Sequence, residues 1–179
     1  MDAHLELSSV REQIRRAFAN VTYPGDNNLR RGSDGDEPFL LEDEFRGKTA
    51  WETLEAPFLD LAPDGFATAL SFFSDAAFRF YLAAYLLADL DNKLMYTQPV
   101  FYLYHGLDSN GSAQVNPRRY GNLSWRQVSE ERFAEFTPED ARAIVAYLRF
   151  KVQSGLLSPM ENASIEQALG NYWLSRSRE

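Results

Sequence analysis

A chain of 179 residues is the size of one ordinary domain, and 45% apolar residues with 14% aromatics supply a core that needs no covalent staples. The absence of cysteine excludes a disulfide scaffold, thiolate metal sites and cysteine nucleophiles. A net charge of −8 argues against nucleic-acid binding, which draws its affinity from counterions released by basic side chains.

Residues 8–20 form the first predicted element. Ser8 or Ser9 can cap a helix, with Glu12 three residues after Ser9 as its capping-box partner. Val10, Ile14, Ala17, Phe18 and Val21 recur at helical spacing and predict one buried face. Tyr23-Pro24-Gly25-Asp26 ends it with turn residues, and the polar, Gly/Asp-rich run that follows makes residues 25–38 a predicted surface loop. Phe39 to Phe45 is a short mixed segment, and Thr49 can cap a brief helix that holds Trp51 and Leu54. Pro57 suits a helical first turn, Pro63-Asp64-Gly65 reads as a turn, and Phe66 to Phe73 as a short extended segment.

The strongest prediction is a helix over residues 75–91, capped by Ser74 and opened by Asp75. Phe78, Phe80, Tyr81, Leu82, Tyr85, Leu86, Leu87 and Leu90 place apolar groups on nearly every face, so other elements must surround this helix. Its longest apolar stretch, Ala76 to Ala88, is broken by Arg79 and falls short of the roughly 20 residues that span a bilayer. Residues 96–104 carry Val100, Phe101, Tyr102 and Leu103, a strand-like run, and Asn110-Gly111 is a candidate hairpin turn toward Trp125 to Val128. Residues 106–122 form a second predicted loop. Thr137-Pro138-Glu139-Asp140 opens a helix with a buried stripe of Ala141, Ile144, Val145, Tyr147, Leu148 and Val152, ended by Gly155. A last helix is predicted from Ala163 to Leu174, with Ile165, Ala168, Leu169, Tyr172 and Trp173 on its apolar side. The expected fold is mainly α: a single-domain helical bundle over 1–179 around the 75–91 helix, with a small β-hairpin within 96–128 as an open option. Met1 to Val10 lacks the features of a signal peptide, so the expected location is cytoplasmic, with no membrane partner.

The charge is unevenly spread. Residues 1–90 hold 16 acids against 8 bases, and residues 91–179 hold 10 of each. The densest acidic stretch is Asp34, Asp36, Glu37, Glu42, Asp43 and Glu44, a candidate surface for a basic partner. It does not follow the ligand spacing of a calcium loop, because Pro38 stands where a further ligand is needed, and no metal or cofactor is expected. His105 lies at the mouth of a loop and titrates near neutrality, but no Gly-x-Ser-x-Gly nucleophile or HExxH pair accompanies it. His4 stands alone in the N-terminal tail. Asp89 with Asp91, and Glu139 with Asp140, are adjacent acids without the cleft that glycoside hydrolysis requires. No phosphate-binding glycine loop occurs. Arg118, Arg119 and Tyr120 with Trp125 and Arg126 are the one place where bases and aromatics interleave as in single-strand binders.

The run Phe72-Phe73-Ser74-Asp75-Ala76-Ala77-Phe78-Arg79-Phe80-Tyr81-Leu82-Ala83-Ala84-Tyr85-Leu86 resembles an uncharacterised bacterial family, a domain of unknown function with a capped aromatic helix. Phe45-Arg46-Gly47 with Trp51, Thr137-Pro138-Glu139, and Ala168-Leu169 before Tyr172-Trp173 extend the likeness over residues 10–174, with Ala83 where such runs often carry proline. These are core and cap signals, so the resemblance implies a fold and no catalytic residues. By analogy, small acidic families of this kind include immunity proteins that neutralise toxins. The leading expectation is therefore a non-enzymatic protein-binding module, an immunity protein meeting a basic toxin through its acidic N-terminal half. The alternative is a small-molecule binder or enzyme with an aromatic pocket at Tyr81, Tyr85, Tyr104 and His105.

Overall fold

A computed structural model describes residues 3–116 and 121–178, with side chains from Glu6 onward. The side chain of His4, and Arg118, Arg119 and Tyr120, lie outside the described residues. The helices are α1 (Ala3–Phe18), α2 (Glu37–Phe45), α3 (Ala56–Leu61), α4 (Ala69–Phe72) and α5 (Asp75–Leu90), then α6 (Pro99–Tyr104), α7 (Trp125–Arg132), α8 (Pro138–Gln153), α9 (Pro159–Ala168) and α10 (Leu174–Arg176). Single 3₁₀ turns lie at Asp26–Asn28, Trp51–Thr53 and Ser109–Ser112, and a π-helical stretch at Leu169–Trp173 joins α9 to α10. The fold is mainly α. Among the described residues there is no strand, only the isolated bridges Arg30 with Phe73 and Gln114 with Ser124. No described helix is long and apolar enough to cross a membrane. The chain divides into two compact units, one of residues 18–99 and one of the remaining residues.

In the 18–99 unit, Ser74 caps α5 as expected: its Oγ accepts from Ala77 N at 3.0 Å and donates to Asn28 O at 2.6 Å. Eleven of the sixteen α5 residues are buried, as a helix apolar on every face requires. The core of the unit is a cluster of rings. Phe45 packs on Phe58, Phe73 and Tyr81 at centroid distances of 4.9, 4.8 and 4.8 Å, and Phe73 stacks on Tyr81 at 5.1 Å. Residues 25–38 are more than a surface loop. Leu29 is fully buried, its carbonyl accepts from Ser74 N at 3.0 Å, and Arg31 N donates to Phe72 O at 2.6 Å.

The other unit gathers around Trp173. Its indole Nε1 donates to Leu103 O at 2.7 Å, and its ring meets Phe133 at 4.7 Å. Thr137 caps α8 in a capping box with Asp140, as its sequence indicates, and Arg176 Nη2 donates to Phe136 O at 2.7 Å.

Four expectations are corrected. Residues 96–104 are not a strand. Pro99 opens α6, and the buried positions Val100, Leu103 and Leu107 recur every three to four residues, a helical period that outweighs β propensity. Asn110-Gly111 falls in a 3₁₀ turn, and the Trp125–Val128 partner strand is the first turn of α7, so the hairpin reduces to one bridge supported by Val115 N to Leu123 O at 3.1 Å and Trp125 N to Ala113 O at 3.0 Å. Phe66 to Phe73 is not extended, because Ala69–Phe72 makes a helical turn. Finally, α1 is already helical at Ala3, so Ser9 caps nothing; it sits exposed on a running helix and accepts from Gln13 Nε2 at 3.2 Å. Gly106 ends α6 with φ +82°, and a Cβ there would lie 2.5 Å from Ser129 Oγ and 2.7 Å from Trp125 O, so only glycine fits.

Candidate functional site

The acidic stretch does not form one free surface. Glu37 accepts from Thr68 Oγ1 at 3.0 Å, and Glu44 accepts from Asp64 N at 2.7 Å. Glu42 pairs with Arg30 at 2.6 Å and Arg46 at 3.3 Å, and Asp43 pairs with Arg46 at 3.2 Å. Glu37, Glu42 and Glu44 thereby tie α2 to other segments of the unit, while the Asp43 pair stays at the helix's own C-terminus. Asp34 and Asp36 are exposed, and their carboxylates enter no ion pair among the described residues.

The four residues of the alternative pocket fall two in each unit. Tyr81 and Tyr85 are fully buried on α5, where Tyr81 Oη donates to Lys48 O at 2.9 Å. Nearby, Tyr23 Oη donates to Asp26 Oδ1 at 2.5 Å, and Gly47 N donates to the same oxygen at 2.8 Å. Burial, reinforced by the Asp26 carboxylate, pushes the Tyr23 phenol up to about 12, and burial pushes Tyr81 higher still. Phenols held so firmly protonated supply no phenolate near neutrality and serve here as fixed hydrogen-bond donors. In the other unit, burial with the nearby Glu161 and Asp108 carboxylates raises the pKa of Tyr104. His105 stacks on Phe101 at 4.7 Å and meets the edge of Trp125 at 4.6 Å. Burial lowers its pKa against the opposing pull of Asp108, which favours the neutral ring at pH 7. No hydrogen bond joins that ring to a nucleophile among the described residues, and none of their His, Asp and Glu clusters could hold a metal.

The structure instead exposes a feature that the sequence reading passed over. Asp60, on α3, is 6% exposed. Its Oδ1 accepts from Tyr96 N and Thr97 N, both at 2.9 Å, and its Oδ2 from Met95 N at 2.9 Å, while Thr97 Oγ1 donates to Asp60 O at 3.0 Å. This clamp fixes the 95–97 segment and leaves Met95 78% and Tyr96 64% exposed. Across from it the chain leaves α3 through a cis Ala62–Pro63 bond, with Asp64, Gly65 and Ala67 at φ +46°, +81° and +57°. Left-handed backbone at a residue with a Cβ costs on the order of 1–2 kcal/mol. It persists because Phe66 N bonds Pro63 O at 2.9 Å, Ala67 N bonds Leu61 O at 3.2 Å, and Glu44 takes Asp64 N. The result holds Phe66 out in solvent, 55% exposed. Between the two segments lies an open cleft of about 450 Å³ lined by Leu61, Gly65, Phe66, Ala67 and Tyr96. In sequence, the available signal was one acid, Asp60, inside the apolar run Phe58-Leu59-Asp60-Leu61; its partners lie 35 to 37 residues away.

The chain is thus a mainly helical protein with an open cleft in its 18–99 unit. Residues 6–177 match the family of unknown function DUF6714, and the chain belongs to that family. No curated protein and no solved structure matches it.

Proposed function

We propose that the chain is a non-enzymatic protein-binding module whose residues 18–99 capture a basic protein partner, as an immunity protein captures a basic toxin. One observation carries this reading: the charge partition follows the structural partition. Residues 18–99 hold 14 acids against 6 bases, and the remaining residues hold 12 of each, so the whole net charge of −8 belongs to one unit. Within that unit the cations are already engaged. Arg30 lies on Glu42, Arg31 on Asp75, Arg46 on Glu42 and Asp43, Lys93 on Asp91, and Lys48 over the Phe58 ring at 4.7 Å. Asp34, Asp36, Glu52, Glu55 and Asp64 are exposed with carboxylates in no ion pair among the described residues. An uncompensated acidic surface of this kind attracts and orients a basic partner and accelerates its encounter.

The variant that tests this reading leaves Glu42 and Glu44 alone, since both hold the fold. Reversing Asp34, Asp36, Glu52 and Glu55 to lysine removes the surplus without touching those contacts. Capture from an extract of the native host, with identification by mass spectrometry, should enrich strongly basic proteins that the four-lysine variant fails to retain. Bound protein should also elute as salt shortens the Debye length to about 3 Å near 1 M. Partners no more basic than the extract, or capture indifferent to the four reversals, would sink the proposal.

A further inference from the structure

We infer that the cleft between Phe66 and Tyr96 is the anchor point for that partner and takes an arginine side chain from an exposed basic segment. The inference rests on the reading of residues 18–99 as a surface for a basic protein and names the contact at its centre. The chain itself shows how it covers exposed rings. Phe39 is 45% exposed and carries the Arg30 guanidinium 4.3 Å from its ring centroid; Phe58 carries the Lys48 ammonium. Phe66 and Tyr96 are more exposed than Phe39, yet neither has a cation or another ring against it among the described residues. Both nonetheless stand on backbone that is held in place, Tyr96 by the Asp60 clamp and Phe66 by the bonds of Phe66 N to Pro63 O, Ala67 N to Leu61 O and Asp64 N to Glu44. A fold that spends left-handed backbone to keep a phenylalanine in water is displaying it.

The cleft matches the two halves of an arginine. Leu61, Phe66, Ala67 and Tyr96 all line the cleft, in a surface that is more polar than apolar; in this reading Leu61 and Ala67 meet the methylene stem and the two aromatic residues receive the planar guanidinium. Asp64, the chain neighbour of the lining residue Gly65, is exposed and enters no ion pair among the described residues. Charge also discriminates among occupants. A second copy would bring another unit with a surplus of eight negative charges, whose arginines with a described partner are already committed to its own carboxylates. A neutral apolar segment would gain nothing from the unit's surplus of negative charge.

The test is a titration of the full ¹⁵N-labelled chain with three heptapeptides in which glycine alternates with arginine, with lysine, or with citrulline, the uncharged isostere of arginine. The arginine peptide should shift the amides of Gly65, Phe66, Ala67 and Tyr96 saturably in the millimolar range, the lysine peptide more weakly, and the citrulline peptide not at all. Phe66→Ala and Tyr96→Ala, both at exposed side chains whose loss a thermal melt can check, should each weaken the arginine peptide roughly two- to fivefold, the range of exposed cation–π contacts. Shifts that map instead to Asp34 and Asp36, with both alanine variants binding as the parent does, overturn the cleft while the acidic-surface reading stands. Equal binding of the citrulline peptide overturns the cation. No saturable shift anywhere with up to about 10 mM arginine peptide, a free energy of under 3 kcal/mol, overturns both.

Discussion

Three successive backbone N–H groups hold the Asp60 carboxylate much as a helix N-terminus holds an anion, with the anion supplied by the chain itself. Burial alone pushes its carboxyl pKa up; the N–H groups of Thr97, Met95 and Tyr96 together outweigh burial and bring it below the ordinary 3.8. Since the folded-state value lies below the unfolded one, the ionised group adds stability in full above about pH 4 and loses it as pH falls through the folded pKa. Asp60→Asn keeps one acceptor oxygen and turns an NH₂ toward a backbone donor. It should cost about 1–3 kcal/mol in urea denaturation at pH 7 and flatten the acid limb of the stability profile. A variant as stable as the parent would show that the clamp is incidental. At this scale the sequence was a poor guide to the site. The six acids from Asp34 to Glu44 stood out by density, but density does not reveal that Glu42 and Glu44 are committed to Arg30, Arg46 and Asp64 N. Phe66 and Tyr96 open the two segments expected to be extended, and nothing sets them apart there, because exposure is decided by tertiary contacts that no local pattern encodes.

Among the elements, the helix starts were the most legible part of the chain and also the place where one signal misled. Thr137 and Ser74 cap as their sequences indicate. Ser158 with Glu161, and Ser124 with Gln127, form capping boxes that carry the same legible spacing and were passed over. Ser9 with Glu12 shows that spacing too and caps nothing, because α1 is already under way six residues earlier. A capping box therefore marks a helix start only where the preceding residues cannot themselves be helical, a condition Ser158 meets after Gly155, at φ +69°. Thr137→Ala and Ser158→Ala should each lose about 1 kcal/mol in urea denaturation, and Ser9→Ala close to nothing. Equal losses at all three would contradict the assigned helix starts. The misread strand at 96–104 has a different origin: over six residues, β-branched and aromatic composition says little, and Pro99 together with the burial period decides.

At the scale of the whole molecule, caps and apolar spacing foretold a mainly helical fold correctly, and the halfway charge split at residue 90 came close to the structural boundary but missed its form. Three acids and three bases of the first 17 residues belong with the neutral unit and cancel there, so the imbalance is confined to residues 18–99. That confinement has a thermodynamic consequence. Like charges crowded on one unit repel each other, and salt relieves the repulsion. The urea midpoint of the parent should rise between about 10 and 200 mM salt, as the Debye length falls from about 30 to under 10 Å. The four-lysine variant, with that unit brought to neutrality, should show little or no rise. A parent midpoint that is flat or falling with salt would mean that attractive pairs such as Arg30 with Glu42 outweigh the surplus.

The π-helical stretch at Leu169–Trp173 bears on how members of the family are to be aligned. A π turn closes i to i+5 where an α turn closes i to i+4, so it takes in one residue more while the helix goes on in the same direction. Ile165, Ala168, Leu169 and Trp173 all remain buried across it, which keeps Trp173 on the face that reaches Leu103 O. A relative one residue shorter here would close the wide turn into an ordinary one and keep the same tryptophan inward. The gap in such an alignment belongs inside the helix, at 169–173, and not in the loop before it, where convention would place it.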